Sequence, residues 1–261
     1  MRANAAKREE VEQEVENDIS GPSTAMATRR TDAPMLGGVT GEGDCEIRPP
    51  WMTIVHGTSK TSASFDVGSI ILDKTSLLVK KGEPLEVVIL SAPTYWKEYT
   101  TGPYDPDNRP RQFNSKAEVL EAGGTVTWNN NTDPATPPTF SLAADLRLLV
   151  RKPKDIICGM FGEDLLGDGH DYAPALFSID KTAYKRVMPE IISAEKVSLA
   201  RRGLRSGVWV LKTGTEILKG KPVIVPSIKL VSALSPEAMQ RIEDLFGSVA
   251  NQTEVEPDAA G

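Results

Sequence analysis

The bulky apolar residues of this chain come in short runs, each broken by glycine, proline or a polar turn, and that pattern favours sheets over a helical bundle. Met52, Ile54 and Val55 alternate as a strand would. Val67, Ile70, Ile71 and Leu72 follow, then Leu77 to Val79, then Leu85 to Ser91 (LEVVILS) after the turn-like Lys81-Gly82-Glu83-Pro84. Later candidates are Leu146 to Val150, a strand closing near Phe177, Val208 to Leu211, Ile217-Leu218 and Val223 to Val231. The 21 Gly and 19 Pro supply the turns that so many short strands need. Between Ala92 and Thr139 the texture changes to a long segment rich in Tyr, Trp, Pro and Arg, read as a loop.

Two stretches have helical character. Asp180 is placed to cap KTAYKRVM, Pro189 is expected to break or restart the helix, and Gly203 is a natural stop after EIISAEKVSLARR. The second is a helix over 236–246, with Ser235 as N-cap, Pro236 at the first helical position and Met239, Ile242, Leu245 and Phe246 on one face before Gly247. Strands, then a helix, then strands again gives a mainly β chain with α elements, an α+β class. It is compatible with a small elaborated barrel and with other α+β arrangements.

The ends differ from the middle. Residues 1–47 and 248–261 carry too few bulky apolar groups to offset the entropy of ordering, and are expected to be a disordered acidic N-terminal tail and a flexible C-terminal tail. One domain over 48–247 is expected between them. No apolar run approaches the roughly 20 residues that span a bilayer, so no membrane partner is expected. The N-terminus has neither a signal peptide's apolar core nor a transit peptide's basic bias, which makes the cytoplasm the expected location. Cys45 and Cys158 are read as reduced thiols.

A formal net charge of -6 conceals an uneven distribution. Residues 178–230 hold eleven Lys and Arg against four Asp and Glu. Such a surface favours a polyanion, because cations that neutralise phosphates release condensed counterions. Aromatic residues interleave with the basic ones, and unpaired bases stack on such rings. The candidate nucleic-acid-binding residues are Tyr95, Trp96, Lys97, Tyr99, Arg109 and Arg111 in the central segment, then Tyr184, Lys185, Arg186, Arg201, Arg202, Arg205, Trp209 and Lys212. Core packing competes for the tryptophans, above all Trp51, Trp128 and Trp209, each placed by its neighbours in a strand.

Catalytic signatures are absent. His56 and His170 lie in no nucleophile, zinc or metalloprotease motif, and no cofactor is expected. The acidic loop with Glu163, Asp164, Asp168 and Asp171 could offer oxygen ligands to a divalent cation, but it departs from the EF-hand pattern and is read as a solvated loop.

The pieces PWMTIVHGTSK, FDVGSIILDK, LEVVILSAPTYWKEY, ALFSIDKTAYKR and GVWVLKTGTEILKGKPVIVPSIKL resemble, in order and texture, the single-stranded DNA-binding proteins of tailed bacteriophages. They span residues 49–231, about seven-tenths of the chain. The resemblance implies an elaborated oligonucleotide-binding (OB-like) barrel with long insertions, which coats single-stranded DNA during replication or recombination without cofactor or bond chemistry. It also implies recruitment of replication or recombination proteins through an acidic C-terminal tip. Here the chain departs from the family, ending in the weakly acidic EVEPDAAG. The alternative expectation is a phage structural or assembly protein, whose aromatic residues anchor subunit interfaces.

Overall fold

The computed structural model describes residues 49–100, 109–131, 136–154, 156–162, 164–218 and 220–247. The expectations for residues 1–47 and 248–261 lie outside the described residues, as do Cys45 and Glu163.

The first strands are short. β1 (Met52–Ile54), β2 (Ile70–Leu72) and β3 (Ser76–Val79) form a three-stranded antiparallel sheet. The other seven strands make a larger sheet around β4 (Leu85–Ser91), the LEVVILS run. This strand is apolar on both sides because it is covered on both sides: Leu85, Val87 and Ile89 enter one core, and Val88 and Leu90 a second. β4 pairs on one edge with β9 (Gly207–Leu218), which continues into β10 (Lys221–Ala233). Its other edge pairs with β7 (Phe140–Arg151), which also pairs with β8 (Tyr172–Asp180) along nearly its whole length. The predicted loop over 92–139 is more ordered than its composition suggests. It contains β5 (Thr94–Glu98), which pairs with the first half of β7, then β6 (Gln112–Phe113) and the short helix α1 (Lys116–Glu121). A two-residue corner, Ala92-Pro93, separates β4 from β5, so they serve the same edge of β7 in succession.

Alternation along the strands sorts side chains onto two faces. On one, Ala144, Leu146, Leu148 and Val150 of β7 meet Ala173, Ala175, Phe177 and Ile179 of β8, Trp209 and Leu211 of β9, and the apolar residues of the small sheet. Helix α2 (Lys181–Val197) packs there through Val187, Met188 and Ile191. The opposite face is covered in part by α3 (Pro236–Phe246), whose Ala238, Ile242 and Phe246 sit on Val88, Leu90, Leu149 and Tyr172. α3 has the bounds its sequence predicts, with the Ser235 hydroxyl accepting from the Ala238 N–H at 3.1 Å.

Two local expectations fail for identifiable reasons. α2 runs unbroken through Pro189. Pro189 and Lys185 are both exposed, so water can satisfy the carbonyl that loses its intrahelical donor. Asp180 stands at the N-cap position of α2 but makes no capping hydrogen bond, because its carboxylate pairs with Lys97.

The chain is thus mostly antiparallel sheet with a few helices, and no closed barrel forms among the described residues. The sheet ends at β10, whose Pro222 and Pro226 lack an N–H. The ladder to β9 is kept only if those nitrogens face outward, which leaves the outer edge short of two donors. Among the described residues no helix is long and apolar enough to cross a membrane.

Candidate nucleic-acid interface

β5 divides the central candidates between two sides of the sheet. Tyr95 and Lys97 oppose Ala143 and Ser141 of β7, and Ala143 in turn opposes Asp180 of β8, so Tyr95, Lys97 and Asp180 share one face. The Tyr95 hydroxyl donates to Asp145 at 3.1 Å, and the Ser178 hydroxyl donates to the same oxygen. Burial, reinforced by the Asp145 carboxylate, pushes the Tyr95 phenol well above its ordinary value and keeps it neutral. Lys97 Nζ lies 3.3 Å from Asp180. Just past the strand, Tyr99 is 37 % exposed, and Lys181 Nζ lies 3.9 Å from its ring centroid in a cation–π contact.

Trp96 falls on the other side, opposite Leu142 and Phe113. Sequence proximity had grouped it with Tyr95 and Lys97, but the pleat separates them. Arg111 joins Trp96 there. It holds Glu98 through Nε and Nη2, the latter at 2.8 Å, and its guanidinium lies 5.3 Å from the Phe140 ring centroid. The bond from Arg111 holds the Glu98 carboxyl below its usual range. Beneath this pair Gly124 comes so close to Phe140 and Val119 that a Cβ would stand 2.7 Å and 2.8 Å from their side chains. Arg109 is exposed just before β6.

Around α2 the candidates separate again. Lys181 and Lys185 are one helical turn apart and both exposed, in a first turn with no acidic residue. Like charges at that spacing repel, and cations at a helix N-terminus oppose its dipole, so the electrostatics here are unfavourable until an anion arrives. Lys181 has φ +48, a left-handed conformation that costs a non-glycine residue on the order of 1–3 kcal/mol. Tyr184 packs against the main core, and burial raises its phenol. Arg186 is paired with Glu216 at 2.6 Å. Arg201 and Arg202 are exposed beyond the far end of α2, a helix about 25 Å long at 1.5 Å per residue.

Two candidates are engaged by the fold itself. Trp209 is 0 % exposed in the main core and cannot stack on a base. Arg205 is a staple: its Nε donates to the Leu90 carbonyl at 3.0 Å and its Nη1 to the Gly247 carbonyl at 2.8 Å, tying β4 to the end of α3. Lys212 is exposed on the side of β9 opposite Trp209.

Three residues outside the candidate set gain weight from the structure. Lys181 gains its place from the strand-to-helix junction, for which the sequence offers only Asp180-Lys181 after an apolar run. Trp51 and Trp128, read as packing, are 42 % and 50 % exposed, and neither lies within a strand of the two sheets. The acidic loop is internally bonded: Asp164 accepts from the Gly169 N–H, Asp168 from the Tyr172 hydroxyl at 2.7 Å, and Asp171 from Lys152 at 2.8 Å. Among the described residues no three His, Cys, Asp or Glu gather as a metal site would require.

The group that the fold brings together is therefore Tyr95, Lys97, Tyr99, Asp180 and Lys181, with Lys185 one helical turn beyond. No protein-family model, curated protein or solved structure matches the chain.

Proposed function

We propose that the protein binds single-stranded DNA with little sequence preference, by phosphate neutralisation and base stacking, in phage-type replication or recombination on an elaborated OB-like sheet. The observation that carries this reading is the junction of β5 and α2. There an exposed ring, Tyr99, is covered by Lys181, Lys97 is paired with Asp180, and Lys185 lies one helical turn along α2, with Asp180 alone opposing them within the group. Rings beside cations suit a flexible strand, whose bases are free to stack while its phosphates track the charge. A duplex keeps its bases stacked inside and offers this ring no partner.

The test is a fluorescence-anisotropy titration with labelled single-stranded DNA, matched duplex and single-stranded RNA at two salt concentrations. Neutralising three or four phosphates predicts a Kd weakened roughly 20- to 50-fold between 50 and 200 mM salt. Absence of binding at the lower salt sinks the reading.

A phage assembly role is favoured by a different observation. Ile217 and Val231, on the β9–β10 hairpin, are 68 % and 56 % exposed, as interface anchors are before a neighbour covers them. Concentration-dependent assembly in sedimentation without nucleic acid would select it.

A further inference from the structure

We propose that Asp180 and Lys181 hold the nucleic-acid site in a self-masked state, which the start of α2 releases when a phosphate arrives. The proposal rests on the nucleic-acid reading for its ligand, and on three contacts for its mechanism. Asp180 occupies Lys97, two residues before the ring on β5, at 3.3 Å. Lys181 occupies the Tyr99 ring at 3.9 Å, on the face where a base would stack. The same two residues begin α2, and neither serves it as a regular helix start would. Asp180 has the extended backbone of an N-cap, φ -139 and ψ 173, yet caps nothing, and Lys181 has φ +48.

These features describe two competing uses of one dipeptide. In the masked state Asp180 neutralises Lys97 and Lys181 covers Tyr99, leaving the first turn of α2 uncapped. In the open state a phosphate takes Lys97, and Asp180 turns to accept from the N–H of Thr182 or Ala183. Lys181 then relaxes to right-handed geometry and leaves the ring. The helix gains its cap only when the ligand has gained its cation and its stacking platform, so capping offsets part of the cost of breaking the Lys97–Asp180 pair. Bound strand and capped helix are thereby coupled.

Two measurements test this. The first needs no ligand: amide hydrogen exchange at Thr182 and Ala183 in the full chain. Lys97→Met releases Asp180, so the capped amide slows about fivefold, the size of an N-cap effect. Adding Asp180→Ala to Lys97→Met abolishes that protection. Unchanged exchange in Lys97→Met overturns the proposal, whatever the protein binds. The second titrates a fluorescein-labelled oligothymidylate. Asp180→Asn, which can still cap, tightens binding about fivefold in the native background, as expected for removal of one exposed ionic competitor. In the Lys97→Met background the same substitution changes it less than twofold. Equal tightening in both backgrounds shows that Asp180 acts through bulk charge, and refutes the mask. If no variant binds the oligonucleotide, the nucleic-acid reading fails, while the exchange result still decides the mask.

Discussion

Replacing Arg205 by alanine separates a structural cation from a binding one. The side chain reaches from the 3₁₀ turn before β9 to two backbone carbonyls, Leu90 at 3.0 Å and Gly247 at 2.8 Å. Leu90 belongs to the second core, so its carbonyl regains little water when the guanidinium is removed. A hydrogen bond from a charged donor to such a group is worth about 1.5–3 kcal/mol net, and the exposed Gly247 bond adds less, for a loss of about 3 kcal/mol. In a domain of this size each kcal/mol moves Tm by about 2–4 °C, so Arg205→Ala should melt roughly 6 to 12 °C lower. Circular dichroism against temperature reads this directly. Arg201→Ala is the matched control: exposed, with no ion pair to a described residue, it should shift stability by no more than about 0.5 kcal/mol. Below the lowered Tm, Arg205→Ala should keep the oligonucleotide affinity of the native chain. A variant with native Tm and a binding loss at least as large as that of Lys185→Ala would refute the reasoning, and return Arg205 to the phosphate-contacting group.

Other expectations follow from the same packing. Trp209→Ala should cost about 3–5 kcal/mol, because it empties the centre of the main core. Trp209→Phe should cost clearly less, since it also removes a buried indole N–H that has no hydrogen-bond partner among the described residues; urea melts of the pair measure the difference. Lys152 lowers the Asp171 carboxyl below its ordinary 3.8. The stability this contributes is present above the unfolded-state value and is lost as pH falls through the depressed folded value. Denaturant midpoints measured from pH 5 downward should therefore fall less steeply in Lys152→Met than in the native chain.

Local pattern was enough for most elements. The LEVVILS run could be read as a strand because Val87 to Leu90 are apolar on both faces and fit a central strand, and the structure covers both of its faces. Ser235-Pro236 and Gly247 marked both ends of α3, since capping depends on a few adjacent backbone groups. Locality also explains the failures. A proline in a helix can be judged only by what surrounds its orphaned carbonyl, and an aspartate at an N-cap only by what else lies within reach. Pro189 faced water and Asp180 faced Lys97, which is 83 residues away in the chain. The segment over 92–139 hid β5 because TYWKE has no alternating apolar pattern, and its partner, β7, comes only later in the sequence.

The candidate site divides along the same line. Composition by itself determined that the chain carries a basic stretch over 178–230 within an acidic whole, and periodicity determined that this stretch contains strands and a helix. Which of those residues meet was decided by the tertiary structure alone. The pleat put Trp96 and Arg111 on the opposite side from Tyr95 and Lys97, burial withdrew Trp209, and two distant carbonyls claimed Arg205. Side-chain chemistry is written locally, but whether a cation is free or already paired depends on groups brought near by the register of strands, and that register is a property of the folded sheet.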